Sequence, residues 1–453
     1  MSFIAYLKRY RKQMNITPTR IIVSSFIFVI LFGALLLTLP IASNDGHSIG
    51  FLNALFTSTS ATCVTGLVIA DTLTQWTIFG QLVIITLIQI GGLGLVTLAT
   101  FFSVLLGKKI SLKGKILAQE STSNYNYKDV LIMIKTIILI TVGTEIVGAL
   151  LLSISFIPRY GLRGIYMAIF HSISAFCNAG FDIIGNYQSL TQYNNDPLVL
   201  YTITFLIIVG GLGFIVWKDL YDFHTQHRLY LHTKIVLIVT VFLILFGSVF
   251  FFFSEYSNPL TMGPLTFFEK INAALFHSVT TRTAGYNSLS LNDMTEVSKI
   301  VTIMLMYIGA APGSTGGGIK VTTFGILVVA ILSNIKGNSE TVVLRRRVAQ
   351  EIVNKALAIV GLSAMMIFIV TVIIIGVEKL PFINVLYEVT SAFATVGLST
   401  GITPTLHPIS KMLLIFMMFL GRVGPLTFAI AISMKNNQKL QNAVYPEGKI
   451  MVG

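Results

Sequence analysis

Eight long apolar runs constrain the fold of this chain more than any other feature. They lie at roughly 21–39, 77–106, 131–156, 198–217, 234–253, 297–332, 354–377 and 411–434. A helix of about 20 apolar residues crosses the hydrocarbon core of a bilayer. Hydrophobic residues make up 54% of the chain and charged residues 11%, under half the charged share of an average soluble domain. The sequence therefore predicts an all-α integral membrane protein with eight transmembrane helices.

Lysine and arginine are distributed unevenly between the segments that connect these runs. Of the 31, 22 lie in five segments and seven on the opposite side. The five segments are 1–20, 107–135, 218–234, 336–355 and 435–453. Because cytoplasmic loops retain positive charge, these segments and both termini are predicted to be cytoplasmic. The net charge of +13 thus marks one side of a membrane, and no nucleic-acid partner is expected.

A short semi-polar stretch recurs four times, once between the two runs of each successive pair. The four copies occupy 53–67, 167–181, 273–286 and 384–398, and each contains one glycine near its end: Gly66, Gly180, Gly285 and Gly397. These glycines are 114, 105 and 112 residues apart, and a second glycine cluster follows each. Such an internal repeat defines the architecture. We expect four repeats within one pore domain, at 1–118, 119–224, 225–345 and 346–453.

Two spans in each repeat return the chain to the same side of the membrane, so the four repeats are predicted to be parallel around one pseudo-fourfold pore. The short stretch is too brief to cross, and we expect it to be a re-entrant helix followed by a hairpin. Re-entrant backbone is tolerated where it lines a cavity, and rings of backbone carbonyls can replace the hydration shell of K+. The alternative for each glycine is helix packing in a membrane bundle.

The two stretches Ala61-Thr-Cys-Val-Thr-Gly66-Leu and Val279-Thr-Thr-Arg-Thr-Ala-Gly285-Tyr resemble filter segments of the Trk/Ktr/HKT potassium transporter superfamily. The resemblance covers nearly the whole chain and is closest to the bacterial Ktr type. It implies K+ uptake across the bacterial plasma membrane, often stimulated by Na+. It also implies a homodimer on a ring of cytosolic RCK subunits, which bind ATP or ADP. The filter residues would be Val64, Thr65, Gly66, Asn178, Ala179, Gly180, Thr283, Ala284, Gly285, Thr395, Val396 and Gly397.

The run at 297–332 is too long for one span, and its middle cannot remain a regular helix. The residues concerned are Gly309, Pro312, Gly313, Ser314, Thr315, Gly316, Gly317, Gly318 and Lys320. A nucleotide-binding loop does not fit, because Ile319 and Val321 flank Lys320. A plain helix break is one interpretation. The resemblance implies a gate beneath the filter.

Arg422 lies inside the last apolar run and is a functional candidate, because charge within a membrane is costly. The family has a matching arginine at the gate, where a positive charge would repel ions. The alternative is a structural partner for a carboxylate such as Glu145, whose own role stays open.

Several polar residues have a structural interpretation beside a chemical one. Cys63 and Cys177 precede filter glycines and fit packing better than metal ligation. His171 and His277 occupy equivalent positions, where polar packing is the simpler interpretation. An intramembrane enzyme would need a catalytic motif, and none is present at useful spacing, so we expect no enzyme. A Na+-permeable or non-selective cation pathway is the competing function.

Overall fold

The structure is a computed structural model that describes residues 18–94, 127–338, 340–425 and 427–428. Two parts of the sequence-based interpretation fall outside these residues. One is the second half of the predicted span 77–106, and the other comprises both termini with most of the basic segment 107–135. Their sidedness stays a prediction.

Four long apolar helices dominate the described chain. They are α1 (Pro18–Thr38), α5 (Tyr127–Tyr160), α9 (Leu231–Glu255) and α13 (Gln350–Glu378), numbered in chain order with the shorter helices given below. Each contains an apolar segment long enough to cross a membrane, and only 28% to 33% of that segment is buried. Large apolar side chains such as Phe28, Leu139 and Phe253 are exposed. Because water does not wet such a surface, these helices face lipid.

The shorter helices lie between the long ones. They are α2 (Phe51–Thr62), α3 (Thr72–Gln75), α4 (Ile78–Leu93), α6 (Arg163–Phe176), α7 (Pro197–Leu212), α8 (Phe214–Gln226), α10 (Phe267–Thr280), α11 (Glu296–Tyr307), α12 (Val321–Ile335), α14 (Phe382–Ala394) and α15 (Pro408–Val423). Short 3-10 turns occur at Pro40–Ala42, Thr191–Tyr193 and Thr403–Thr405. A two-residue hairpin pairs β1 (Val342–Val343) with β2 (Arg346–Arg347).

Helix starts and ends follow local chemistry. The side chain of Thr77 accepts from the Gly80 N–H at the start of α4, and Asp196 caps α7 ahead of a proline, which leaves fewer unpaired N–H groups. Helices α4, α7 and α15 each end at a glycine with positive φ, namely Gly94, Gly213 and Gly424. Glycine has no Cβ and adopts this backbone conformation at little cost.

The predicted span 198–217 is not one straight helix. Helices α7 and α8 meet at Gly213 with a bend of 91°, so α8 turns away from the direction of α7. The prediction for 297–332 is confirmed in that α11 ends at Tyr307 and α12 begins at Val321. The intervening residues form no helix.

Packing between the elements is circular. Within each group of helices, the long helix packs on the short helix that follows it: α1 on α2, α5 on α6, α9 on α10 and α13 on α14. The next helix of each group then contacts the short helix of the neighbouring group, through the pairs α4–α6, α7–α10, α11–α14 and α15–α2. The last pair closes the circle. More than half of the residues in each of the helices α2, α6, α10 and α14 are consequently buried.

Candidate functional site

The four enclosed helices all end a few residues before a key glycine. Helix α2 ends four residues before Gly66, and α14 ends three residues before Gly397. The residue two positions before each glycine has a positive φ; these residues are Val64, Asn178, Thr283 and Thr395. Non-glycine residues adopt this conformation at an energetic cost, and such strain concentrates at functional sites.

The four glycines themselves form a closed ring. A Cβ on Gly180 would lie 2.8 Å from the Cα of Gly285, and a Cβ on Gly397 would lie 2.9 Å from the Cα of Gly66. The other two neighbouring pairs, Gly66 with Gly180 and Gly285 with Gly397, each give 3.3 Å. In each case the hypothetical Cβ would also meet a carbonyl oxygen of the next hairpin. Any side chain at these positions would therefore collide with backbone.

A hydroxyl group on each enclosed helix holds its hairpin in place. Ser60 Oγ accepts from the Gly66 N–H at 3.1 Å, and Ser391 Oγ accepts from the Gly397 N–H at 3.0 Å. In the other two hairpins the hydroxyl donates instead, Ser174 to Phe181 O at 2.7 Å and Thr280 to Tyr286 O at 2.6 Å. The role of these four residues was not predicted from the sequence. The signal was present, because all four hydroxyls occupy the same position in the recurring stretch.

A cavity of about 560 Å³ opens on one side of the glycine ring, and all four glycines line it. Asp71 and Asp182 also line this cavity. Burial raises the pKa of Asp182 to about 6; the N–H of Ile184 opposes this shift, and the charge of Asp71 adds to it. Asp71 is fixed by the N–H groups of Leu73, Thr74 and Tyr187. Two carboxyl groups thus give the cavity acidic character.

A glycine-rich loop, residues 308–320, lies on the opposite side of the ring. Cβ atoms on Gly316 and Gly317 would collide with the side chains of Thr283 and Thr395, which precede the ring glycines. The loop is also bonded to the C-terminal end of α7, because the Ala311 N–H donates to Gly211 O at 3.0 Å. Ala310 and Ala311 are buried. The loop therefore occupies the space next to the ring. It fits there because Gly316 and Gly317 have no Cβ.

Two partly buried cations bind this loop through its carbonyl oxygens. Lys320 Nζ donates to Gly316 O at 2.7 Å. Arg422, in the last turn of α15, donates to Thr315 O and to Gly91 O, and its contact with Gly92 O measures 3.3 Å. Among the described residues no carboxylate forms an ion pair with Arg422. Arg422 instead joins the loop to the C-terminal end of α4, where a helix carries partial negative charge.

The remaining polar residues that the sequence singled out have local partners. His171 receives the Ile183 N–H at 3.4 Å, and His277 contacts Thr302 Oγ1 at 3.1 Å. Glu388, which occupies the position of these histidines in the fourth stretch, accepts from Ser399 and Thr403, which tie the segment after Gly397 to α14. Both cysteines are buried and free. No group of three His, Cys, Asp or Glu side chains that could hold a metal occurs in 18–94, 127–338 or 340–425.

The lipid-facing helices, the central ring and its adjoining loop define the class of this molecule: a multi-span membrane transport protein. A family model for TrkH, a cation transport protein, matches residues 7–442. The chain belongs to the TrkH family of cation transport proteins, and it is a transporter and not an enzyme.

Individual relatives agree with this assignment over the full length. The chain is 41% identical over 443 residues to the Ktr system potassium uptake protein B of Bacillus subtilis, covering 98% of both chains. It is 39% identical to the potassium/sodium uptake protein NtpJ of Enterococcus hirae, covering 98% of this chain and 99% of that protein. Its fold resembles the potassium transporter TrkH from Vibrio parahaemolyticus with a TM-score of 0.72, at 18% identity, covering 93% and 86% of the two chains.

Proposed function

We propose that this chain takes up K+ across the bacterial plasma membrane through a filter of backbone carbonyls. The filter comprises residues 64–66, 178–180, 283–285 and 395–397, one segment from each of four parallel repeats. The closed ring of four glycines is the observation that supports this proposal best. Carbonyl rings of this kind can replace the water around a cation.

Ion entry is favoured by the charge pattern on both sides of the ring. The acidic cavity with Asp71 and Asp182 concentrates cations, because a negatively lined cleft raises the local concentration of the opposite charge. Helices α2, α6, α10 and α14 point their C-terminal ends toward the ring, and a helix C-terminus favours a cation. The first effect acts before the ion loses its water, and the second acts on the ion at the ring.

The loop 308–320 and Arg422 form the gate in this proposal. The loop fills the space on the inner side of the ring, and the guanidinium holds it against α4. A positive charge at this depth also opposes the passage of a cation. The pathway opens when the loop leaves this position, which requires the bonds of Arg422 to break.

In this proposal, a partner protein regulates the opening of the pathway. The relative from Bacillus subtilis is named as one component of a Ktr system, which supports a cytosolic RCK-type subunit that carries the nucleotide. We further propose that two copies of the chain form a homodimer with cytoplasmic termini. The name of the Enterococcus hirae relative includes sodium, which supports stimulation by Na+ or, as the second candidate function, a pathway that admits Na+ as well.

Rubidium uptake into K+-loaded liposomes tests the function. The purified chain is reconstituted, and external K+ or Na+ is added as competitor. We expect external K+ to block Rb+ uptake and an equal concentration of Na+ to leave it nearly unchanged. Equal block by Na+ would establish the non-selective pathway instead. Absence of uptake with the cytosolic partner present would contradict both functions.

A further inference from the structure

Glu145 is the intramembrane acid to which the proposed function gives no role. It lies in the middle of α5, between residues Val142 and Ile146 that are about half exposed on the lipid-facing surface, yet only 9% of Glu145 itself is exposed. The carboxyl group therefore turns inward. Because a carboxylate in a membrane is costly unless it is paired or hydrogen-bonded, its contacts should explain its presence.

The contacts of Glu145 lead toward the gate. Its Oε1 accepts from Gln89 Nε2 at 3.0 Å, and Gln89 Oε1 accepts from Cys177 Sγ at 3.4 Å. Gln89 lies in the last turns of α4, two residues before Gly91. A Cβ on Gly92 would lie 2.7 Å from Cys177 Sγ. A polar chain thus runs along the end of α4 through Glu145, Gln89 and Cys177. We call it the Glu145 chain.

That same helix end receives the gate arginine. Arg422 donates to Gly91 O and Gly92 O, while its other nitrogen donates to Thr315 O of the loop. Arg422 has only carbonyl partners among the described residues. The carbonyl oxygens that hold the guanidinium therefore belong to the helix end that Gln89 ties to Glu145.

We propose that Glu145 is a positioning residue for the gate: through Gln89 it fixes the end of α4, whose carbonyl oxygens hold Arg422. This inference rests on the proposed function of Arg422. A residue on a lipid-facing helix then controls the stability of the closed loop, although it touches neither the loop nor the glycine ring.

The test measures Rb+ uptake by the full chain in liposomes without a partner. Glu145→Leu removes the acceptor for Gln89 Nε2, and Gln89→Leu breaks the chain one step later. We expect each to raise basal uptake by about fivefold, a coupling typical of residues in one hydrogen-bond network. The K+/Na+ ratio should stay unchanged, because neither substitution changes a residue of the proposed filter. Gln81→Leu is the matched control, since Gln81 is a buried glutamine of α4 that donates to Trp76 O at 2.9 Å.

A double-mutant cycle with Arg422→Ala separates this role from a structural one. If Glu145 acts through Arg422, Glu145→Leu has no further effect once Arg422→Ala is present. An equal increase in both backgrounds, unchanged uptake in both single variants, or a fall in the K+/Na+ ratio would overturn the inference. If Arg422→Ala alone leaves uptake unchanged, the proposed gate itself is wrong.

Discussion

At the scale of single residues, the account depends on backbone that only glycine can adopt. Gly66 has a φ of +92° and no room for a Cβ, because the carbonyl oxygen of Ala179 stands in its place. A side chain there must displace one carbonyl of the ring. Displacement changes the size of the site and with it the preference between cations of different radius.

We predict that Gly66→Ser lowers the K+/Na+ uptake ratio by about tenfold, which corresponds to ~1.4 kcal/mol of lost discrimination. The ratio is measured as competition against Rb+ uptake in liposomes. Gly50→Ser is a suitable control, since Gly50 has a similar φ of +88° and no atom within 4 Å of a Cβ. An unchanged ratio in Gly66→Ser would remove Gly66 from the filter.

Asp182 gives a second prediction at this scale, for dependence on external pH. With a pKa raised to about 6 by burial, its carboxyl group is ionised at pH 7 and mostly neutral at pH 5. Loss of this charge weakens the attraction of the outer cavity for K+. We expect the KM for K+ to rise about twofold to threefold between pH 7 and pH 5, given the partial screening of such charges.

Asp182→Asn provides the control for the pH series. The variant should show a raised KM at pH 7 and little further change on acidification. If the variant retains the full pH dependence of the native chain, another group is responsible. The measurement requires initial Rb+ or K+ uptake rates over a range of external concentrations.

At the scale of elements, the loop 308–320 and the helix ends around it carry the gate. Arg422→Ala removes at least two charge-assisted hydrogen bonds, and such bonds contribute about 1.5–3 kcal/mol each. We predict that basal Rb+ uptake rises at least about tenfold, and that shortening residues 312–318 has the same effect. Arg159→Ala is the control. Arg159 forms an ion pair with Asp196 at 2.8 Å and does not contact the loop.

A reduced or unchanged uptake in a folded Arg422→Ala protein would contradict the gate. Folding is checked by comparing the melting temperatures of the purified variants. A second check uses selectivity, because an opened gate should raise the flux of K+ without changing the K+/Na+ ratio.

Sequence analysis could locate the loop but not its contacts. Glycine and proline content predicts a break in a helix, because both residues disfavour helix locally, and α11 does end before the loop. The partners of Arg422 stand 107 and 331 residues away in the chain. No local pattern encodes a contact of this range, since it depends on how four groups of helices close into a circle. The bend at Gly213 was not predicted from the sequence for the same reason.

At the scale of the whole molecule, circular packing brings distant segments to one centre. The contact between α15 and α2 closes the circle between the two ends of the described chain. The repeated stretches made the four glycines visible in the sequence, because the same residue type recurs in register with similar neighbours. The fifth residue of the recurring stretch differs between the four copies (Thr57, His171, His277 and Glu388), so the surroundings of the four segments are not equivalent.

The central claim is that the glycine ring binds dehydrated K+, and anomalous diffraction from crystals grown with Tl+ in place of K+ tests it most directly. Tl+ resembles K+ in size and scatters strongly. The account predicts anomalous peaks on the axis between Gly66, Gly180, Gly285 and Gly397, lost when Na+ replaces Tl+. Ordered Tl+ elsewhere in the protein, with none between these four residues, would contradict it.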